Sequence, residues 1–335
     1  MKAMIMAAGV GSRLMPLTAD IPKPMVPVVN RPLMENTIEQ LKKHNFNNLI
    51  ANLYHQAWAI SDYFGDGSSW GVSIQYSKEE KLLGTAGGVK KCEWFLDDTF
   101  CVISGDALTD IDLSALLAKH RQKGALATIA LKAVKEVERF GVVITDDDGR
   151  ISSFQEKPKR EEALSEKVNT GIYIFEPEIL NYLPAGKFYD FGKQLFPYLV
   201  KSAAPFYGIT MSDYWCDVGD IASYRQVQAD VLNSRIKTGI TGIIETGTDG
   251  QQILVGEGTY IGKNVKLYGT VVLGSGCRIG DNTSISNSVI WNDSYIGENC
   301  NIREAVLGAY CLISDGAEID SGAVIASYCR IPSNS

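Results

Sequence analysis

The sequence is poor in histidine and has no closely paired cysteines, and both shortages exclude whole classes of chemistry. Only three histidines, His44, His55 and His120, occur in 335 residues. None stands in a pattern with serine or cysteine that would make a nucleophilic triad, so they read as surface residues. The seven cysteines include no C-x-x-C pair, which gives neither a metal-site spacing nor a disulfide framework in so long a chain. They are expected to be reduced, and none sits in a nucleophile motif. No uninterrupted apolar run approaches a membrane span, and the first residues read as a strand rather than as a signal peptide. A cytoplasmic protein without a membrane partner is expected. Basic charge is also short: a formal net charge of −7 argues against a general nucleic-acid binder. The remaining composition, 45% hydrophobic, is that of an ordinary globular chain long enough for two domains.

Two familiar phosphate loops are missing as well. After Gly9 and Gly11, Leu14 stands where a dinucleotide fingerprint needs its third glycine, and the Walker A pattern G-x-x-x-x-G-K-[ST] is absent here. What is present is Ala8-Gly9-Val10-Gly11-Ser12-Arg13-Leu14, with Pro22-Lys23-Pro24 close behind. It follows a short apolar run that reads as a buried strand. Glycines there let successive N–H groups converge on phosphate oxygens, while Arg13 offers a planar fork of donors and Lys23 a point charge.

The hydrophobic pattern changes period along the chain. Up to about residue 230, apolar strands alternate with helical stretches, the sign of an α/β sheet. Candidate strands are 49–53, 72–76, 100–104, 126–134 and 171–175. Candidate helices are 35–44, 86–95 and 112–122, the last with Asp112 as N-cap. Beyond about residue 250, Val255, Ile261, Leu267, Leu273, Ile279 and Ile285 recur every six residues. The series slips by one residue before Ile290, Ile296 and Ile302, and again before Leu307, Ile313, Ile319 and Ile325. That hexapeptide rhythm predicts a parallel β-helix. Cys277, Cys300, Cys311 and Cys329 each lie four residues after one of these positions, where small packing residues are expected. The domains read as 1–232, a connection over 233–250, and 251–335.

Three further segments carry polar groups at turns. Ser104-Gly105-Asp106 ends an apolar strand, and Trp215-Cys216-Asp217-Val218-Gly219 presents a second carboxylate. Two aspartates at strand ends suit Mg²⁺, which takes one or two carboxylates and completes its shell with substrate phosphates. Glu156-Lys157-Pro158 follows Phe140-Gly141 and precedes Asn169-Thr170-Gly171. Read by itself, Glu156-Lys157 is a solvated pair on an edge strand. Glu79-Glu80 runs into Leu83-Gly84-Thr85-Ala86-Gly87. A carboxylate there could accept from N1–H and the exocyclic amine of guanine, which favours GTP.

Together the A-A-G-x-G-[ST]-R-L-x-P-L-T pattern, the L-G-T-A-G segment, G-D, E-K-P and W-x-D-x-G resemble the sugar-1-phosphate nucleotidyltransferases, also called NDP-sugar pyrophosphorylases. The resemblance covers nearly the whole chain. It implies a Rossmann-like mixed-sheet domain followed by a left-handed parallel β-helix, with Mg²⁺ as cofactor and an NTP and a sugar-1-phosphate as substrates. Carried over residue by residue, it implies metal binding by Asp106 and Asp217, and catalytic charge from Arg13 and Lys23. It implies nucleotide contacts from Ala8, Gly9, Gly11, Ser12, Glu79, Gly84 and Thr85, and sugar-phosphate contacts from Gly141, Glu156, Lys157 and Asn169. Ser104 departs from the asparagine of many members.

The combined spacing looks most like the mannose-1-phosphate guanylyltransferases, which make GDP-mannose, with glucose-1-phosphate uridylyl- or thymidylyltransferases as the alternative. A homo-oligomer, a dimer through the β-helix, is expected. Acyltransferases also carry hexapeptide β-helices, but they generally use a histidine within them, and none follows His120. A non-catalytic NDP-sugar-binding regulator would show degraded phosphate or metal residues, whereas Arg13, Lys23, Asp106, Lys157 and Asp217 are intact.

Overall fold

The computed structural model describes residues 1–333, so the last two residues of the domain expected over 251–335 lie outside the described residues. The chain falls into two compact units that interleave along the sequence. One comprises Met1–Gly9 and Thr37–Asp217, the other Val10–Asn36 and Val218–Ser335.

The first unit is built on a nine-stranded mixed sheet. Its central strand, Lys2–Met6, pairs in parallel with Asn48–Leu53 on one side and Phe100–Ser104 on the other. Ala3, Met4 and Ile5 have no exposure at all, as expected for a strand covered on both faces. Ser73–Lys78 extends the sheet in parallel. Beyond Phe100–Ser104 the direction reverses at Lys167–Phe175, which leads to Gly141–Thr145 and the edge strand Ile151–Glu156. Ala127–Ala133 and Phe206–Thr210 join through Lys167–Phe175. All five strands expected from the pattern are present.

The expected helices appear as Leu33–Lys43, Gly84–Lys91 and Leu113–Gln122. Asp112 caps the last by accepting from Ala115 N–H at 2.9 Å. The second is shorter than the expected 86–95, because the chain leaves it at Cys92 and turns tightly through Leu96.

The histidines depart from the surface reading. His120 is fully buried and His44 nearly so, while His55 is half-buried. His120 Nδ1 lies 2.8 Å from Thr128 Oγ1 and Nε2 lies 3.0 Å from Glu176 Oε1. Its place on the inner face of Leu113–Gln122, with a partner for each ring nitrogen, lets the ring be buried at little cost. A lone histidine in a helix carries no sequence mark of such partners.

In the second unit, residues after about 250 form three parallel sheets stacked coil on coil. Leu254 faces Val272, eighteen residues on, whereas Val272 faces Val289 and Val289 faces Val306, each seventeen on. The one-residue slips in the sequence are therefore coils with one corner shortened. Asn264, Asn282 and Asn299 take left-handed φ values of 55°, 58° and 55° at successive equivalent turns, a conformation that asparagine tolerates better than most residues. The aliphatic series fills the axis, with Ile279, Ile285, Ile290, Ile296 and Ile302 fully buried. Cys277, Cys300 and Cys311 pack among them and Cys329 lies beside the same cluster. Burial pushes the Cys277 thiol up to about 11, which leaves it a protonated, small hydrophobe.

The segment 233–250 is not wholly irregular: Ile243–Thr246 pairs antiparallel with Gln252–Val255. Residues from the chain's beginning belong to this unit because Ile221–Leu232 binds them. Pro27 O accepts from Tyr224 Oη and Gln228 Nε2, and Val29 N–H donates to Gln228 Oε1. Tyr224 Oη in turn accepts from Trp291 Nε1 at 2.8 Å. No helix among the described residues is long and apolar enough to cross a membrane.

Candidate active site

The parallel strands of the first unit end together. Met6 stands beside Asn52 and Ser104 in register, and Gly105 N–H returns to Met6 O at 3.0 Å. Chain leaving the carboxyl ends of such strands lines the place where open α/β sheets take ligands.

Asp106 and Asp217 come together there. Trp215–Asp217 pairs antiparallel with Ala107–Thr109, and Asp217 sits directly opposite Ala107, the residue after Asp106. Both aspartates are half-buried. Among the described residues no three His, Cys, Asp or Glu side chains gather into a metal-binding group. Two neighbouring carboxylates fit Mg²⁺, which relies on water and substrate oxygens for the remainder of its shell, better than they fit an all-protein zinc cage. Ala8 is buried and Gly9 exposed, and nothing lies within 4 Å of a Cβ placed on Gly9, so its backbone is open to an approaching anion.

The remaining loop residues belong to the second unit. Gly11 has φ +70°, and a Cβ there would come within 2.9 Å of Lys23 Cβ. Thr18 Oγ1 ties the turn by donating to Gly11 O at 2.9 Å. Lys23 is buried to 6% exposure, whereas Ser12 and Arg13 are exposed.

The edge strands bring the expected sugar-phosphate residues together. Gly141 pairs with Glu156, and Val168, next to Asn169, faces Val142. Gly141 is required by packing, since a Cβ would meet Phe154 Cζ at 2.4 Å. Lys157 adopts φ 48° and holds its N–H on Phe140 O, which leaves its side chain 60% exposed and Nζ 4.0 Å from Glu156 Oε1. Burial raises the Glu156 carboxyl above its ordinary value; Lys157 opposes this and Asp190 adds to it. Asn169 Oδ1 accepts from Gly171 N–H and its Nδ2 donates to Tyr173 Oη, both at 2.9 Å. One lone pair and one N–H of that amide are left for a ligand.

The expected base reader Glu79 is placed differently. It is 2% exposed, its Oε1 accepts from Asn52 Nδ2 at 2.7 Å and its Oε2 accepts from Leu83 N–H at 2.9 Å. Asn52 Oδ1 in turn accepts from Ala7 N–H at 2.9 Å. The carboxylate ties the end of the strand Asn48–Leu53 to the turn before Gly84–Lys91, and its support for guanine falls away. The strand Ser73–Lys78 alternates its faces, and the next carboxylate, Glu80, is the exposed one. The helix Gly84–Lys91 also spends its first amides internally: Ala86 and Gly87 N–H both donate to Tyr189 O at 3.0 Å.

A model of the nucleotidyl transferase family matches residues 2–234, and a model of the left-handed β-helix domain of the EIF2B epsilon subunit matches residues 243–335. The chain belongs to the nucleotidyl transferase family. The expected assignment to the sugar-1-phosphate nucleotidyltransferases, with a Rossmann-like domain and a left-handed β-helix, stands with it. A UTP–glucose-1-phosphate uridylyltransferase of Synechocystis sp. is 44% identical over 96% of this chain and 90% of its own length. A mannose-1-phosphate guanylyltransferase of Mycobacterium tuberculosis is 31% identical over 90% of this chain and 82% of its own. Among solved structures, a Bacillus anthracis protein assigned as a glucose-1-phosphate thymidylyltransferase superposes with a TM-score of 0.64 at 26% identity, covering 71% of this chain and 97% of that one.

For a nucleotidyl transferase, the sequence reading passed over Asn52 and the turn around Asp190. Asn52 stands one residue before the end of its strand and braces both Ala7 and Glu79. Asp190 accepts from Thr85 Oγ1 at 3.0 Å and adds to the raised pKa of Glu156. The Asp190-Phe191-Gly192 turn signal was visible, but nothing local linked it to residues a hundred positions earlier.

Proposed function

We propose that this enzyme joins a nucleoside monophosphate to a sugar-1-phosphate, releasing pyrophosphate, with UTP and glucose-1-phosphate as the preferred pair. The pairing of Asp217 with Ala107, which sets Asp217 beside Asp106 at the strand ends, carries the reading. A phosphate oxygen of the sugar-1-phosphate attacks the α-phosphorus of the NTP as the bond to the departing pyrophosphate breaks. The attacking oxygen is anionic at neutral pH, so no protein nucleophile or strong base is needed, and positioning with electrostatics carries the rate. A divalent metal, Mg²⁺ by the chemistry of the donors, would be held by Asp106 and Asp217 and would offset repulsion between two anionic reactants. Arg13 and Lys23 engage the triphosphate, helped by the backbone around Ala8, Gly9, Gly11 and Ser12. Gly84 and the backbone of Thr85 lie against the nucleoside, while the Thr85 hydroxyl is held by the turn at Asp190 and Phe191. Lys157 holds the sugar phosphate, and Glu156 and Asn169 accept from or donate to sugar hydroxyls beside Gly141.

The preference for UTP and glucose-1-phosphate is supported by the 44% identical relative and by the loss of Glu79 as a guanine reader. GTP with mannose-1-phosphate is the second reading, supported by the 31% identical relative. Pyrophosphate release measured over all NTP and sugar-1-phosphate pairs with Mg²⁺ tests both readings. A single productive pair names the substrates, and silence with nucleotide still bound returns the chain to the class of NDP-sugar-binding regulators. Asp106→Asn is expected to abolish turnover and leave the unfolding midpoint unchanged; near-normal turnover refutes the metal role. Self-association through the β-helix is part of the proposal, supported by the exposed row Tyr260, Arg278, Tyr295 and Leu312 across one sheet. Sedimentation of a monomer would refute it.

A further inference from the structure

The turn over residues 189–193 touches both the glycine-rich segment assigned to the nucleoside and the carboxylate assigned to the sugar. On the nucleoside side it is fixed by backbone: Tyr189 O takes the N–H groups of Ala86 and Gly87, and Tyr189 N–H donates to Leu83 O at 2.9 Å. Gly84, at φ +74°, lies so close that a Cβ would come within 2.6 Å of Tyr189 O. On the sugar side, a Cβ on Gly192 would come within 2.3 Å of Glu156 Oε2. The two sides are joined by side chains. Thr85 Oγ1 donates to Asp190 Oδ2 at 3.0 Å and accepts from Phe191 N–H at 2.8 Å. Asp190 Oδ1 accepts from Gly192 N–H at 3.0 Å and from Lys193 N–H at 3.2 Å, while its own N–H donates to Gln194 Oε1 at 2.8 Å.

We infer that Thr85 is a positioning residue whose hydroxyl couples occupation of the nucleotide segment to the placement of Glu156, so that NTP and sugar-1-phosphate bind with linked affinities. The inference rests on the activity proposed above. Fixing Gly84–Gly87 around a nucleotide fixes Thr85, and Thr85 fixes the turn whose Gly192 forms the floor beneath Glu156. Replacing Thr85 by valine keeps the shape but leaves Asp190 Oδ2 and Phe191 N–H without their shared partner, cutting the hydroxyl link from residues 190–191 to the nucleotide segment while the backbone bonds of Tyr189 hold. Linkage requires that whatever the nucleotide does to sugar-phosphate affinity, the sugar phosphate does to nucleotide affinity by the same factor.

Calorimetric titration of the full chain with Mg²⁺ tests this. Glucose-1-phosphate is titrated with and without saturating uridine 5′-[α,β-imido]triphosphate, and mannose-1-phosphate likewise with the guanosine analogue. Wild type is expected to bind its sugar phosphate at least about fivefold more tightly with the analogue present, within the ordinary range of site coupling. In Thr85→Val the factor falls to about one, and in Thr85→Ser, which restores the hydroxyl, it survives. Thr85→Ala serves in place of the valine variant should that chain fail to fold. A wild-type factor of one, or an equal factor in wild type and Thr85→Val, overturns the coupling while the activity reading stands. Failure of wild type to bind either sugar phosphate overturns the activity reading, and the coupling with it.

Discussion

Glu79→Gln separates a carboxylate that reads a base from one that ties a strand end to a turn. The native carboxylate is buried and accepts from two donors, Asn52 Nδ2 and Leu83 N–H. Glutamine has one oxygen and one NH₂ in the same space. If its oxygen serves Leu83, its NH₂ confronts that of Asn52, and Asn52 cannot turn over without abandoning Ala7 N–H. Hydrogen bonds to a charged group contribute about 1.5–3 kcal/mol and a stranded buried donor costs about 1–3 kcal/mol, so Glu79→Gln should destabilise by about 2–4 kcal/mol. The reasoning also names its rescue. In the double variant Asn52→Asp/Glu79→Gln, the introduced aspartate keeps Ala7 N–H on one oxygen and takes the introduced amide NH₂ on the other. The oxygen of that amide is then left for Leu83 N–H. The double variant should therefore recover most of the loss, a favourable coupling measurable in a double-mutant cycle. Urea unfolding of the four proteins gives the stabilities, and kcat/KM for GTP and UTP gives base selectivity. An unfolding midpoint unchanged in Glu79→Gln, with GTP use alone reduced, would refute the structural account and reinstate Glu79 as a guanine reader.

Other consequences are as direct. Burial lowers the pKa of His120 below that of an exposed histidine, with Glu176 opposing, and burial lowers that of His44 in the same way. As pH falls below about 6.5 the unfolded chain binds protons before the folded one, so this part of the stability is present above that pH and is lost as pH falls through the lowered folded-state values. The urea midpoint should drop between about pH 7 and about pH 5, and His120→Gln should flatten the dependence. Ile296→Ala, at a fully buried position of the β-helix axis, should cost about 2–5 kcal/mol in the unfolding of that domain. Gly192→Ala places a methyl against the Glu156 carboxylate and should raise the sugar-1-phosphate KM about tenfold or more with the NTP KM little changed, since a misplaced group costs far more than its size suggests.

Much of the fold was legible because it rests on periodicity. An aliphatic residue every six positions can be buried on one axis only if the chain turns three corners per coil, and even the slips before Ile290 and Leu307 survive as the seventeen-residue coils. Five of the nine strands of the first unit's sheet were likewise announced by apolar runs. Glu79 was misread because its neighbours in sequence are polar and its partner, Asn52, lies on another strand. His120 was misread because burial of a polar ring depends on Thr128 and Glu176 arriving from elsewhere.

The sequence by itself determined the two-period architecture and the family, because local backbone preference and motif spacing are properties of short stretches. Only the tertiary structure decided which polar groups face a ligand and which face one another. It set Asp217 beside Asp106 across more than a hundred residues, turned Glu79 inward onto Asn52 and joined Thr85 to Asp190. Those choices follow from strand register and the need to pair every buried polar atom, and both are settled only when distant segments meet.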